Sequence, residues 1–298
     1  MSIINVQQII IQIGGTFMSL ETNYYQEKIL STSTVKHFLA NPARALDDWN
    51  GVFPWFSEKS PELNYGSYVH AKIQDDLEGT DKHLTEFREK TPELFKKDGK
   101  SLLAKYMQSE HNANTFLASK TFQSIKEYAK DKEMYVEKAF LGTLQGVQFK
   151  GKLDLMIVDR NKKVVTCVDF KTSKKYDASG LDWYEDINGE RKHGLIIWEN
   201  SKLYPIQAGV YRELLRQNGY QDYEIKYSFD VITKETTPRI DVWKISSETM
   251  DEGWDMFTEG LLNAHKYITG QEKAPVINDG SAWANKRTWE SPNVLVAE

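Results

Sequence analysis

The sequence predicts a mixed α/β (α+β) fold, a mixed central sheet flanked by helices with a helical N-terminal part. Three observations lead there. Up to Lys130 the apolar residues recur at helical spacing, and from Met134 they fall into short β-branched runs. Within Gly146–Lys175, the runs Val147–Val158 and Val164–Phe170 flank the polar turn Asp159-Arg160-Asn161-Lys162-Lys163, the pattern of a β-hairpin. A chain of 298 residues, 40% hydrophobic and 27% charged, is enough for one large or two small folded units with a sizeable core.

The elements follow in order. Residues 1–17 read unlike the rest. Their apolar run Ile9-Ile10-Ile11 is too short to span a bilayer and lacks a basic flank or cleavage pattern. Met18 opens an ordinary start, and Gly14-Gly15 is compatible with a ribosome-binding sequence just upstream of its codon. The expectation is that translation begins at Met18 and that 1–17 is a non-native or disordered leader. An N-terminal mass of the native protein starting at Met1 overturns it. A single domain is expected over 18–270, with 24–130 helical, 134–246 the core and 247–269 a closing helix, followed by an aperiodic tail, 271–298.

Ser31 or Ser33 caps a helix that carries Val35, Phe38 and Leu39 on one face and stops at Asn41-Pro42. A short helix follows over Ala43–Trp49, Pro54 and Pro61 bracket a loop, and Val69, Ile73 and Leu77 mark a helix over Tyr65–Leu77. Further helices are expected over Ser101–Ser109 and Thr115–Lys130. Strand Tyr135–Leu141 precedes the hairpin. The polar stretch 174–200 holds Asn188-Gly189, a hairpin-turn signal. Leu203–Asn218 reads as a helix stopped by Gly219, Ile225–Ile232 and Arg239–Ile245 as a strand pair, and Ser247–Thr269 as the closing helix.

A net charge of −5 is unlike a generally basic nucleic-acid binder, yet residues 150–175 carry eight Lys/Arg against three Asp. A basic patch around acids on an acidic body suits a phosphate polymer that approaches bound cations. For Lys162-Lys163 alone, a solvated turn is the simpler account. The single cysteine, Cys167, excludes an intrachain disulfide and a multi-cysteine zinc or iron–sulfur site. It fits a small core residue in a reducing cytoplasm.

The chemistry concentrates on the hairpin. Asp169 and Lys171 are two apart on a strand and share a face. Asp154 is embedded among Leu153, Leu155, Met156 and Ile157, where an ionised carboxylate needs a partner or a metal. Two acids and an amine can hold a hard divalent cation and activate water against a phosphate. The alternative is a buried Asp–Lys ion pair. The triplet alone is weak, because Asp98–Lys100, Glu190–Lys192 and Glu224–Lys226 repeat its spacing. Only Asp169–Lys171 ends an apolar strand whose partner strand carries an acid. Two further pairs narrow the choice. Gly66 and His70 lie i,i+4 on one helix face, Gly66 allowing another backbone to approach, though a lone helical His is commonly structural. Gln207 and Tyr211 likewise share a face, where an amide and a phenol hold a nucleic-acid backbone or orient the lysine. Alone, Tyr211 is an ordinary amphipathic-helix residue.

Taken in order, G-x-x-x-H (Gly66–His70), G-K-L-D (Gly151–Asp154), D-F-K-T (Asp169–Thr172) and Q-x-x-x-Y (Gln207–Tyr211) resemble the RecB/RecE-like branch of the PD-(D/E)xK nucleases. The N-terminal part is similar to that of RecE-type (exonuclease VIII-like) phage and prophage exonucleases, through Tyr25, Leu30-Ser31-Thr32-Ser33, Lys36-His37-Phe38 and Pro42. The resemblance covers roughly residues 25–215. It departs in the long interval from Lys171 to Gln207, with an apparent insertion around 183–200, and the C-terminal third carries no diagnostic motif.

The resemblance implies a restriction-endonuclease-like core and a set of roles. His70, Asp154 and Asp169 would ligate Mg²⁺ or Mn²⁺, with the Phe170 backbone carbonyl and, through a water, Glu137, unless Glu137 is simply a solvent-facing strand residue. Lys171 would position or deprotonate the attacking water, and Gln207 and Tyr211 would support the substrate and that lysine. Lys150, Lys152, Thr172, Lys174 and Lys175 are the expected DNA contacts. No iron–sulfur cluster and no membrane partner are expected. The implied activity is 5′→3′ resection of linear double-stranded DNA in the bacterial cytoplasm by a ring-like homo-oligomer. The product, a 3′ single strand, would pass to a RecT-like annealing protein. A repair or restriction-type endonuclease and a non-catalytic DNA-binding scaffold are the alternatives. Trp183, Tyr184 and Trp198 either stack on unpaired bases or anchor the inserted loop.

Overall fold

The hairpin read from the sequence forms the middle of a six-stranded mixed sheet. The structure, a computed structural model, describes residues 10–13, 16–19, 24, 27–55, 61–173, 181–185, 191–195 and 204–290. The elements in chain order are β1 (Ile10–Ile13), β2 (Thr16–Ser19), β3 (Leu30–Ser31), α1 (Thr32–Ala40), α2 (Pro42–Trp49), α3 (Pro61–Glu78), α4 (Lys82–Lys90), α5 (Met107–Leu117), α6 (Lys120–Ala129), β4 (Glu133–Leu144), β5 (Val147–Asp159) and β6 (Val164–Ser173). After them come β7 (Leu181–Glu185), β8 (Arg191–Leu195), α7 (Tyr204–Leu215), β9 (Glu224–Thr233), β10 (Ile240–Ile245), α8 (Ser247–Ile268) and α9 (Ala282–Glu290). This is the mixed α/β class that the switch of period predicts.

β4 and β5 pair antiparallel from Glu133–Val158 to Leu144–Val147. On its other edge β5 changes neighbour halfway. Its first half lies parallel to β3, Leu30 beside Phe149 and Ser31 beside Lys150. Its second half runs antiparallel to β6, from Leu155–Val168 to Asp159–Val164. Between Lys150 and Leu155 the sheet is therefore forked. Past Val168, β6 continues with β9 alone, which it pairs in parallel through Ser173. β9 pairs antiparallel with β10.

Each face of the sheet is buried by its own layer. Val35 and Phe38 of α1, Ile206 and Leu214 of α7 and Phe257 of α8 pack over Met156, Cys167, Tyr227 and Phe229. Tyr65 and Val69 of α3, Phe116 of α5 and Phe122 of α6 pack over Leu155, Ile157, Val168 and Phe170. The alternation of Cys167 and Val168 between the two layers is the strand period of two. Two glycines set the spacing. A Cβ on Gly253 of α8 would collide with the Pro205 carbonyl of α7, and one on Gly151 of β5 would fall 2.5 Å from the Tyr211 ring.

Several elements differ from the sequence expectation for identifiable reasons. Ser31 is the cap of α1, its hydroxyl accepting the Thr34 N–H at 3.3 Å. The helix expected over Ser101–Ser109 is a 3₁₀ turn, Ala104–Tyr106, that leads into α5. The Ser119 hydroxyl accepts the Phe122 N–H at 3.2 Å and starts α6, so Thr115–Lys130 is broken in two. At the start of α4, Asp81 holds the cap position but its side chain makes no capping hydrogen bond. Asp75 of α3 supplies one, accepting the N–H groups of His83 and Leu84 at 2.9 and 3.0 Å. The stretch expected to be an aperiodic tail contains α9. Its Trp283 is buried against Ala43 and donates its indole N–H to Asp47 at 2.7 Å.

Within 1–17 and just beyond, β1 and β2 pair as a hairpin. β7 and β8 pair antiparallel, and the turn expected at Asn188-Gly189 lies outside the described residues. Tyr25, Lys174, Lys175, Trp198 and the side chains of Trp183 and Tyr184 lie outside the described residues. No helix among the described residues is long and apolar enough to cross a membrane.

Candidate active site

Continuing the β5–β6 register one step past Leu155–Val168 would set Asp154 opposite Asp169. At the fork that ladder step is missing. Instead the Phe170 N–H donates to Asp154 Oδ2 at 2.9 Å. A strand residue points its N–H and C=O to the same edge, so the Phe170 carbonyl faces the fork as well. There it is hydrogen-bonded by the His70 ring.

Asp169 is fully buried. One carboxylate oxygen is ion-paired with the Lys171 ammonium, and the other accepts from the Gln207 amide and from the Tyr227 hydroxyl at 3.1 Å. Asp154 Oδ2 lies 3.7 Å from His70 Nδ1. Glu137 completes the group from β4. Its φ of 54° is left-handed, and it interrupts the pairing between Val136–Leu155 and Lys138–Leu153, directly across from Asp154. Such a backbone costs a non-glycine residue about 1–3 kcal/mol and is concentrated at functional sites. The Glu137 carboxylate accepts from Gln74 and is ion-paired with Lys152. His70, Glu137 and Asp154 present ligand atoms that all lie within 4.8 Å of one another.

The electrostatics follow from this crowding. Burial, reinforced by Asp169 and Glu137, holds the Asp154 carboxyl well above the usual carboxylate range. Burial and the neighbouring Lys171 charge hold His70 below its ordinary value. Its imidazole is then neutral at neutral pH and has a lone pair to give. Burial also acts to lower Lys171, but Asp169 and Asp154 outweigh it and keep the ammonium charged. Repelling acids, a neutral imidazole and a backbone carbonyl are the donor set of a hard divalent cation that tolerates one nitrogen. The residues present fit Mg²⁺ or Mn²⁺.

α7 reaches this group through Gly151. Tyr211 donates its hydroxyl to the Lys152 carbonyl at 2.8 Å, and its ring lies 6.0 Å from that of Tyr227, stacked at 23°. Gln207 touches Asp169 and so acts on Lys171 through it. A cleft of about 1630 Å³ opens on the fork, lined among others by His70, Gln74, Glu137, Lys152, Asp154 and Thr172.

The expected DNA contacts divide. Thr172 lines the cleft, and its hydroxyl would stand 3.1 Å from a Cβ on Gly66, so a side chain and not another backbone comes close to that glycine. Lys152 also lines the cleft but is paired with Glu137. Lys150 lines the cleft too, and its ammonium donates to the carbonyls of Tyr24 and, at 2.7 Å, Glu27. Its charge ties the segment before β3 to β5. The motifs missed Tyr227 and Gln74. Neither has a spacing signal, since both are found only through a contact across the fold.

No curated protein matches the chain. Among solved structures it is similar to that of a candidate exonuclease from Eubacterium rectale, with 21% identity, 94% of this chain and 100% of that chain covered, and a TM-score of 0.65. At that identity the likeness is one of fold. SSO0001 matches at 16% identity over 56% of this chain and 69% of its own, with a TM-score of 0.27 that carries no argument. Residues 31–279 match the PDDEXK-like domain of unknown function (DUF3799), and with its forked sheet and nuclease-like fold the chain belongs to that family.

Proposed function

We propose that the protein is a Mg²⁺-dependent DNA exonuclease, with Mn²⁺ substituting, that hydrolyses phosphodiester bonds from the ends of linear double-stranded DNA. One observation carries the reading. His70, Glu137 and Asp154 crowd their donor atoms within 4.8 Å beside the Asp169–Lys171 pair. Membership of a PDDEXK-like family and the exonuclease name of the Eubacterium rectale neighbour support it. His70, Asp154, Asp169 and the Phe170 carbonyl would hold the cation, with Glu137 reaching it through water.

A bound divalent cation supplies charge neutralisation of the phosphate and a more acidic water. The chain's own residues do the rest. Lys171 orients the attacking water and meets the charge that builds on the phosphate. Gln207 and Tyr227 fix Asp169, and Asp169 fixes Lys171. Tyr211 pins β5 beside Asp154. The 5′→3′ direction, a ring-like homo-oligomer in the bacterial cytoplasm, a RecT-like annealing partner and a part in phage-type recombination rest on the order of the four motifs and their resemblance to RecE-type exonucleases.

The experiment is digestion of duplexes labelled at either end, with Mg²⁺, Mn²⁺ or EDTA. Expected are early loss of the 5′ label with either metal, none in EDTA, intact closed circular DNA, and no digestion by a folded Asp169→Ala variant. Cutting of closed circles would make the enzyme an endonuclease. No digestion by the wild type would leave a DNA-binding scaffold. A monomeric, distributive enzyme would remove the ring.

A further inference from the structure

Lys171 is not the only lysine engaged with the acids of the site. Lys152 lies two residues before Asp154 on β5, and its ammonium is ion-paired with Glu137 of β4. Asp169 is fully buried, whereas the side chains of this second pair are each 20% exposed. Both line the cleft, together with His70, Gln74 and Asp154. An ion that enters the cleft therefore meets Glu137 with Lys152 already upon it.

The backbone is bent to make this arrangement. Glu137 takes its left-handed φ of 54° at the step where β4 leaves its ladder opposite Asp154. An ion pair this open to water is too weak alone to hold a non-glycine residue there. The carboxylate is held at both oxygens. Gln74 donates to one, and Lys152 pairs with the other. Gln74 is one helical turn beyond His70 on α3, so the helix that carries the imidazole carries the amide as well. Held in this way, Glu137 keeps a ligand atom within 4.8 Å of those of His70 and Asp154. One acid thus answers to two cations, the ammonium and the divalent ion that the group fits. Like charges at such range repel, and each weakens the hold of the other. The ammonium has a second resting place. It lies 5.7 Å from the centre of the Tyr24 ring, within the range of a cation–π contact, and Tyr24 lines the same cleft.

We propose that Lys152 is the internal counter-ion of the metal site. It competes with the divalent cation for Glu137, keeps the affinity of the chain for that cation low, and gives way when a phosphate enters with the metal and offers the ammonium another anion. The proposal rests on the metal-dependent nuclease reading and adds to it what sets the strength of the site. Lys152 acts through Glu137 and is a positioning residue.

Mn²⁺ affinity is measured by titration calorimetry, without DNA, for wild type, Lys152→Met, Lys152→Arg and Glu137→Gln, and for Lys152→Met in the Glu137→Gln background. Melting in EDTA checks that each variant is folded. Lys152→Met is expected to bind Mn²⁺ about tenfold more tightly than wild type, the scale of one partly screened charge at contact distance. Lys152→Arg keeps the charge and is expected to stay near wild type. In the Glu137→Gln background the gain is expected to vanish, because the lysine acts through that acid. Thymidine monophosphate, a phosphate with no diester to cut, is expected to tighten Mn²⁺ binding by wild type more than by Lys152→Met. Affinity that is unchanged or weaker in Lys152→Met overturns the proposal. So does a gain of equal size with Glu137→Gln, or equal tightening by the nucleotide in both proteins. If neither wild type nor Lys152→Met binds Mn²⁺, the proposal falls together with the metal-dependent reading. A gain that depends on Glu137, in a chain that digests no duplex, keeps the counter-ion and removes the nuclease.

Discussion

At the scale of single residues, the acids at the fork are arranged against their own comfort. Burial and the carboxylates of Asp169 and Glu137 hold the Asp154 carboxyl well above the usual carboxylate range. Asp154→Asn keeps an oxygen for the Phe170 N–H and removes the repulsion. In EDTA this variant should melt above the wild type, by about 1 kcal/mol in stability, while losing Mg²⁺-dependent digestion and any rise in melting temperature with Mg²⁺. A variant that melts lower would show that the acids do not repel. Asp230 gives a pH test apart from the motifs. Burial, opposed by its hydrogen bond from Ser228 and aided by Asp169, raises its pKa from 3.8 to about 7. The folded chain therefore binds this proton more tightly than the unfolded chain does. The contribution is fullest below the unfolded value of 3.8 and is lost as pH rises through that window to about 7. The melting temperature of Asp230→Asn should fall less than that of wild type between about pH 5 and about pH 8, and equal falls would refute the assignment. The residues legible in sequence were those with a period to announce them. Asp169 and Lys171 share a strand face, and Gly66 and His70 share a helix face. Tyr227 depends on which strand lies beside which, and no local spacing encodes that.

At the scale of elements, the decisive fit is α7 on β5. Gly151 was read as part of a motif, but its structural task is to give the Tyr211 ring room. In Gly151→Ala the new Cβ would lie 2.5 Å from that ring and 2.6 Å from Leu214. Overpacking of this kind costs about 1–3 kcal/mol. The larger effect is expected on the chemistry, because Gln207, one turn from Tyr211, would move off Asp169. Denaturant titration and single-turnover digestion measure the two, and a variant that loses stability alone would break the link between α7 and the lysine. Strand boundaries were read well, since β-branched runs end where turn residues begin. Helix boundaries were read less well for a physical reason. Ser119 is a cap in the middle of an apolar pattern, and α4 borrows its cap from Asp75 on another helix.

At the scale of the whole molecule, the C-terminal segment is part of the first helical layer. Asn41 donates to the Ile277 carbonyl at 2.7 Å, and Trp283 is buried over Ala43. Trp283→Ala should cost about 3–5 kcal/mol, the scale of emptying a large aromatic site. A loss near zero in denaturant titration would mean that the segment only rests on the surface. The sequence hid this contact because a helix that buries one tryptophan on a distant partner has no apolar stripe of its own. The fork, finally, governs when the site can come together during synthesis. β3 is two residues long and emerges early in synthesis, yet the strand it joins lies at Phe149–Lys150. Asp154 and Asp169 are made next, but the groups that steady Asp169, Gln207 and Tyr227, follow only with α7 and β9. A chain still growing on the ribosome carries both acids without their supports. The acids are therefore made before the groups that steady them, and the site can be assembled only once α7 and β9 have formed.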